Sequence, residues 1–119
     1  MALLDYDISC AITFKGAQFA WAIIKGYKKI ENRSYRLPTN KWIAIHIGQG
    51  VLKEDYRRLI PNNDMPSEKE LMKSWRSSII GCLMIKEHRH LDNCCSDCWA
   101  TGPICNVIEK VLVFSNTIV

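Results

Sequence analysis

Residues 21–48 read W-A-I-I-K-G-Y-K-K-I-E-N-R-S-Y-R-L-P-T-N-K-W-I-A-I-H-I-G, and the order of elements in that stretch decides how the rest of the chain is read. A short apolar segment runs into Gly26, a polar cluster of Lys28, Glu31, Asn32 and Arg33 follows, and an alternating run then delivers His46. Phe19, Ala20, Ile23 and Ile24 recur at helical spacing, so residues 17–25 are expected to form a helix. Gly26 suits the left-handed position that ends such helices, because it has no Cβ to clash there. If 42–47 is extended, Ile43, Ile45 and Ile47 point one way, and Trp42, Ala44 and His46 point the other. Ionisable groups of several kinds between two buried elements point to a pocket lining.

Working outward, D-I-S-C-A-I-T-F at 7–14 is expected to be a first strand, and 28–33 a second. Pro38-Thr39-Asn40 supplies a turn before the alternating run. Leu52, Tyr56 and Leu59 fall on one face of a helix over 51–59, which P-N-N-D-M-P then breaks. Ser67 and Glu70 make a capping box for a short helix that turns Leu71, Met72 and Trp75 inward. S-I-I-G-C-L-M-I-K at 78–86 is expected to be a central strand, 87–103 a polar, cysteine-rich loop, and 104–114 a closing strand. Strands and short helices in this order predict one α+β domain over 1–119, a small β-barrel with short peripheral helices.

Composition narrows the class. Of the 119 residues, 48% are hydrophobic and 24% charged, which matches an ordinary globular chain and excludes a disordered one. No apolar run approaches the roughly 18 residues of a membrane span, so no membrane partner is expected. The first residues, M-A-L-L-D-Y-D, carry two acids and no positive region, which argues against a secretory signal and for an intracellular protein of cytoplasm or nucleus. The net charge is +4, and Lys25, Lys28, Lys29, Arg33, Arg36 and Lys41 face only Glu31 within one segment. Such a patch attracts phosphates over a Debye length of about 8–10 Å, although the same charges also suit a solvated loop.

Alternation over 28–33 puts Lys28, Ile30 and Asn32 on one face and Lys29, Glu31 and Arg33 on the other, so Lys28 meets Glu31 only if the chain bends. A carboxylate between a lysine and an arginine forms charge-assisted pairs that limit the cost of burial. The arginine offers a planar fork to phosphate or a base edge, and His46 can donate, accept or titrate near neutrality. A structural salt bridge beside a half-buried histidine is the plain alternative. Trp99, an aromatic in a polar loop beside a basic cleft, is suited to stack a base, or else to plug the barrel against Trp21 or Trp42.

Six cysteines do not form the pattern of a secreted disulfide framework, and Cys10 and Cys82 lie in apolar runs where free cysteine acts as a small hydrophobe. His88, His90, Cys94, Cys95, Cys98 and Cys105 crowd one segment. Cys95 and Cys98 have the C-x-x-C spacing that wraps a zinc ion, with His88, His90 or Cys105 available to complete it. Such a zinc would be structural, bracing the loop that presents Trp99. No cofactor is required by any other feature, and reduced thiols are the alternative.

The helix into G-Y-K-K-I-E-N-R and the strand ending in I-H resemble the ASCH family of small PUA-like domains, whose signature is an alanine-containing helix, G-x-K-x-x-E-x-R and a strand ending in I-H. The ending S-D-C-W-A-T-G-P-I-C-N-V-I-E-K-V-L is similar to the family's last motif, a tryptophan, G-P and then a strand. The resemblance implies a PUA-like barrel that binds RNA or modified nucleosides in a cleft. It places Lys28, Glu31, Asn32 and Arg33 on one wall, His46 on the floor and Trp99 on the opposite rim. Family members carry a Q-P-W-A turn where this chain has Ala17-Gln18-Phe19-Ala20, a change at the cleft mouth. A hydrolytic branch that removes acyl groups from the amine of modified cytidine uses a lysine, a threonine and a glutamate. Lys28 matches the lysine, but the threonine position falls on Glu31, so an enzyme here would need Glu31 as a general base activating water.

Three functions are therefore weighed: a module that binds RNA or a modified nucleotide through a basic cleft, a small amidohydrolase or ribonuclease using Lys28 and Glu31, and a module that docks an acidic protein. Oligomeric state is not legible.

Overall fold

The computed structural model describes residues 8–94 and 97–119, with the side chain of Ser9 excepted. Its regular elements are β1 (Ile8–Phe14), α1 (Ala17–Ile24), β2 (Ile30–Arg33), β3 (Trp42–Ile47), α2 (Glu68–Trp75), β4 (Ile79–His90) and β5 (Ile104–Ile118). Asp7, expected to begin the first strand, lies outside the described residues. The strands form one mixed sheet in the order β1-β3-β4-β5-β2, with β1 parallel to β3 and the other pairs antiparallel. The architecture is α+β, a five-stranded sheet with two short helices. No helix among the described residues is long and apolar enough to cross a membrane.

The alternation over 42–47 does what its period requires. Ile43, Ile45 and Ile47 are fully buried, packed with Ile12, Phe14, Leu83 and Ile85 of the neighbouring strands and with Ala20, Ile23, Leu71 and Met72 of the helices. Burying each isoleucine stabilises the fold by roughly 1.5–3 kcal/mol, which fixes β3 with that face inward, since a slip of one residue would expose all three.

α1 ends as expected at Gly26, whose φ is +84°. Gly26 N donates to Ile23 O at 3.1 Å and Tyr27 N to Ala22 O at 2.9 Å, the paired bonds of a Schellman turn. Lys28 N also reaches Ala22 O, at 3.0 Å. The turn thus reverses the chain immediately after the helix and aims Lys28 back beneath it. At the other end, Gly16 offers no side-chain cap. The carboxylate of Glu68 caps α1 from the start of α2, accepting from Ala17 N at 2.9 Å and from Gln18 N at 2.9 Å. α2 itself begins as its sequence predicts, with Ser67 Oγ accepting from Glu70 N at 3.2 Å and Leu71 and Met72 buried.

Two expectations are corrected. Residues 51–59 contain only a single 3₁₀ turn, Arg57–Leu59, and no α-helix. Long-range side chains hold this segment in another path: Tyr56 N, a donor that a helix would use internally, goes to Gln18 Oε1 at 2.9 Å, while Leu52 N donates to Glu68 and Gln18 Nε2 holds Asp55. The loop expected over 87–103 begins only after His90, because β5 pairs with β4 as far as Ile104 opposite His90. β5 likewise outruns its expected end at 114.

The sheet is not closed by a ladder between its edge strands β1 and β2. Side chains bridge that seam instead, with Arg33 Nη2 of β2 donating to Thr13 O of β1 at 3.2 Å.

Candidate ligand-binding cavity

A cavity of about 560 Å³ opens beside that seam. This volume falls within the range of about 300–1,000 Å³ usual for small-molecule sites. Its inner wall is an ion cluster built on the bend between α1 and β2. Lys28 and Glu31 are only 3% and 6% exposed. The Lys28 ammonium lies 3.3 Å from Glu31 Oε1, and also donates to Ile30 O. Arg33 Nε donates to Glu31 Oε2 at 2.8 Å. Lys28 and Glu31 meet because Lys28 precedes the four-residue strand, so strict alternation does not apply to it. Burial pushes the Lys28 amine below the ordinary lysine range, against the opposing pull of Glu31. The result is a lysine that loses its proton more readily than a surface one.

Aromatic rings supply the second wall. Phe19 and Tyr56 pack with centroids 4.5 Å apart, the Lys28 ammonium sits 5.7 Å from the Phe19 centroid, and Arg58 lies 5.3 Å over Tyr56. Arg33 lies 5.6 Å over Phe14, another lining residue. Lys15 and Arg58 add exposed cations at the rim, and Glu54 stands 3.9 Å from Arg58.

Of the residues expected in a cleft, Lys28, Glu31, Asn32, Arg33 and Trp99 all line this cavity. Their tasks differ from expectation in two cases. Trp99 is 6% exposed, packed with Ala22, Ile60 and Met65 and edge-on to Phe19 at 6.5 Å. It forms part of the wall and offers no free face for stacking. Asn32 Nδ2 donates to Trp99 O at 2.9 Å, and its Oδ1 accepts from Thr101 N at 2.8 Å and Gly102 N at 2.9 Å. Its amide therefore clamps the tryptophan loop to β2. His46 does not line the cavity. It hydrogen-bonds through Nδ1 to Thr13 Oγ1 at 3.0 Å, one strand behind a lining residue.

Of the cations grouped around Glu31 in the sequence, only Lys28 and Arg33 reach the cavity. Phe19 lies in the 17–20 turn expected at the cleft mouth, whereas Lys15, Tyr56 and Arg58 carry no sequence signal of a site. Tyr56 and Arg58 lie two apart in the 50s segment, a hint of a shared edge, but only the capture of that segment by Gln18 and Glu68 brings them to the site.

The residues available to complete a C-x-x-C zinc site, His88, His90 and Cys105, stand apart from one another. Among the described residues no three His, Cys, Asp or Glu side chains converge as metal ligands, and Cys95 lies outside the described residues. His88 Nε2 donates to Leu37 O at 2.7 Å, and His90 is exposed beside Asp92. His88 and His90 stand opposite Asn106 and Ile104 in the ladder, whereas Cys105 stands opposite Arg89. The pleat therefore sends the histidines and Cys105 to opposite faces. Cys94 and Cys105 are buried against Ile30, and burial, reinforced by a hydrogen bond with Cys94, pushes the Cys105 thiol up. Cys98 is exposed and borders the cavity.

No family model matches the chain, and no curated protein matches it significantly.

Proposed function

We propose that the chain is an RNA- or modified-nucleotide-binding module of the ASCH kind, its sheet a PUA-like barrel whose last seam is bridged by side chains. The observation that carries this reading is the cavity itself, where a buried Lys28–Glu31–Arg33 cluster faces the rings of Phe19 and Tyr56 with Lys15 and Arg58 at the rim. Flat aromatic faces accept a base, a guanidinium accepts a phosphate or a base edge, and rim cations attract the backbone. Glu31, with both oxygens already engaged by cations, keeps lone pairs for an exocyclic amine. The bridge from Arg33 to Thr13 supports the barrel, because it holds together the two strands a closed barrel would pair. The protein works inside the cell, where RNA is its partner.

A second reading has its own support. Glu31, a buried carboxylate 3.3 Å from the Lys28 ammonium, is placed to act as a general base on water, so an amidohydrolase acting on an acylated nucleoside, or a ribonuclease, is the rival.

Fluorescence anisotropy of a labelled short single-stranded RNA, followed over an hour at low salt, tests both. A saturable rise weakened by Tyr56→Ala and by Arg33→Ala is the expected result. A later decay abolished by Glu31→Gln would establish the enzyme instead. A flat trace with the wild-type protein would remove the RNA reading and direct attention to free acylated nucleosides, with product followed by chromatography.

A further inference from the structure

α2 carries a second groove, of about 490 Å³, bordered by Lys69, Lys73 and Arg76 with Met72 and Val51 as its apolar surface. The three cations are four and three residues apart on the helix and its C-cap, so they stand in one row. All three are exposed, and none is paired with a carboxylate among the described residues. No acidic side chain lines the groove.

This groove adjoins the cavity. Lys15, at the cavity rim, packs its aliphatic stem at Gly50, where an added Cβ would lie 3.0 Å from Lys15 Cγ. The next residue, Val51, borders the groove, and Glu54, three residues on, borders the cavity. Three peptide units reach at most about 11 Å, so the two depressions share one short stretch of chain as their divide. Cations thus stand on both sides of that divide, with Arg33, Arg58 and Lys15 at the cavity and Lys69, Lys73 and Arg76 beyond it, while Glu54 pairs with Arg58 between them. The row on α2 alone extends about 10 Å along the helix, beyond the reach of a single nucleotide seated in the cavity.

We infer that the ligand is a single-stranded polynucleotide, with one nucleotide seated in the cavity and the neighbouring phosphates running past Lys15 onto Lys69, Lys73 and Arg76. The inference rests on the nucleotide-binding reading of the cavity. It adds that α2 sets binding length and salt dependence, while the cavity selects the base. Contacts from a row of cations to a flexible strand release counterions and carry little sequence information, so the two halves are separable.

The test compares the wild-type protein with the triple variant Lys69→Gln, Lys73→Gln, Arg76→Gln, whose changes are all on the exposed face. Thermal melts monitored by circular dichroism check its folding. Labelled oligouridylates of roughly 2 to 12 nucleotides are titrated across a salt series, with oligothymidylate of the same lengths to separate RNA from DNA, and uridine monophosphate is titrated by calorimetry. The expected result is that wild-type affinity climbs with length, that the triple variant binds the longest strand about tenfold more weakly at low salt, and that its salt slope is shallower by about 2. Monophosphate binding should be unchanged by the triple variant. A triple variant with the wild-type slope and affinity for the longest strand would overturn the track. So would wild-type binding to the monophosphate without any gain on lengthening, which leaves the cavity reading intact. Failure of the wild-type protein to bind monophosphate and oligonucleotides alike would remove both. Displacement of the longest strand by polyglutamate of equal charge, at equal concentration, would overturn the track in favour of an acidic protein.

Discussion

Arg33 Nη2 donates to the carbonyl oxygen of Thr13 at 3.2 Å, so the last residue of β2 holds β1 across the seam that no backbone ladder closes. The same guanidinium donates through Nε to Glu31 and covers Phe14. One side chain thus joins the sheet edges, orients the buried carboxylate and faces the ligand cavity. A planar fork presents Nε and Nη2 to separate partners in fixed directions, a geometry that the point-like ammonium of lysine does not reproduce.

Arg33→Lys should therefore loosen the seam while keeping the charge. The expected cost is about 1–2 kcal/mol in urea denaturation, with hydrogen exchange accelerated at the amides of β2 more than at those of β3. Equal protection in the two proteins would mean that other contacts hold the seam.

Glu31→Gln should make stability steeply dependent on pH. Burial already sets the folded-state pKa of Lys28 below 10.5. Between those two values the unfolded chain binds more protons than the folded one, so this group's contribution to stability rises with pH. Removing Glu31 takes away the charge that opposes burial, lowers the folded pKa further and widens the window downward. The variant should be less stable than wild type by roughly 3 kcal/mol near neutrality, and the gap should narrow as the pH approaches 10. Urea melts at a series of pH values decide this; a gap constant with pH would show that Lys28 is not the group responsible.

Trp99 and Tyr56 should separate fold from binding. Trp99→Ala removes a buried ring from the cluster with Ala22, Ile60 and Met65, at an expected cost of about 3–5 kcal/mol in stability. Tyr56→Ala, at a half-exposed ring, should cost less stability and should weaken the labelled RNA by the 1–3 kcal/mol or so of one lost stacking contact. The opposite pattern, with Trp99 governing affinity and Tyr56 stability, would return the stacking role to the tryptophan.

Asn32→Asp is nearly isosteric but cannot donate to Trp99 O, and it sets a carboxylate against that carbonyl. The two donors Thr101 N and Gly102 N would still be satisfied. The expected outcome is a modest loss of stability, about 1–2 kcal/mol, with faster exchange confined to the amides of 97–102. Exchange that rises instead throughout the sheet would mean that Asn32 supports β2 rather than the loop.

Much of the cavity's inner wall was legible because it is local. The helix, the Gly26 turn and the strand that follow one another over 17–33 need only neighbours in sequence, and together they place Lys28, Glu31, Asn32 and Arg33 on one bend. Trp99 was legible as a neighbour of the site but not in its role. Its exposure depends on Phe19, Ile60 and Met65, none of which its own loop foretells. No helix forms over 51–59 for a related reason: apolar spacing in that segment is outweighed by backbone hydrogen bonds donated to Gln18 and Glu68.

The inward face of β3, the Schellman end of α1 at Gly26 and the capping of α2 by Ser67 follow from local sequence, because each rests on side-chain period or on bonds spanning a few residues. That Tyr56 and Arg58 share a cavity with Lys28, that Asn32 clamps a loop some 70 residues away and that His46 stays behind Thr13 could be read only from the folded chain. These relationships come from contacts between distant segments, where competition for buried hydrogen bonds, rather than local pattern, selects the partner.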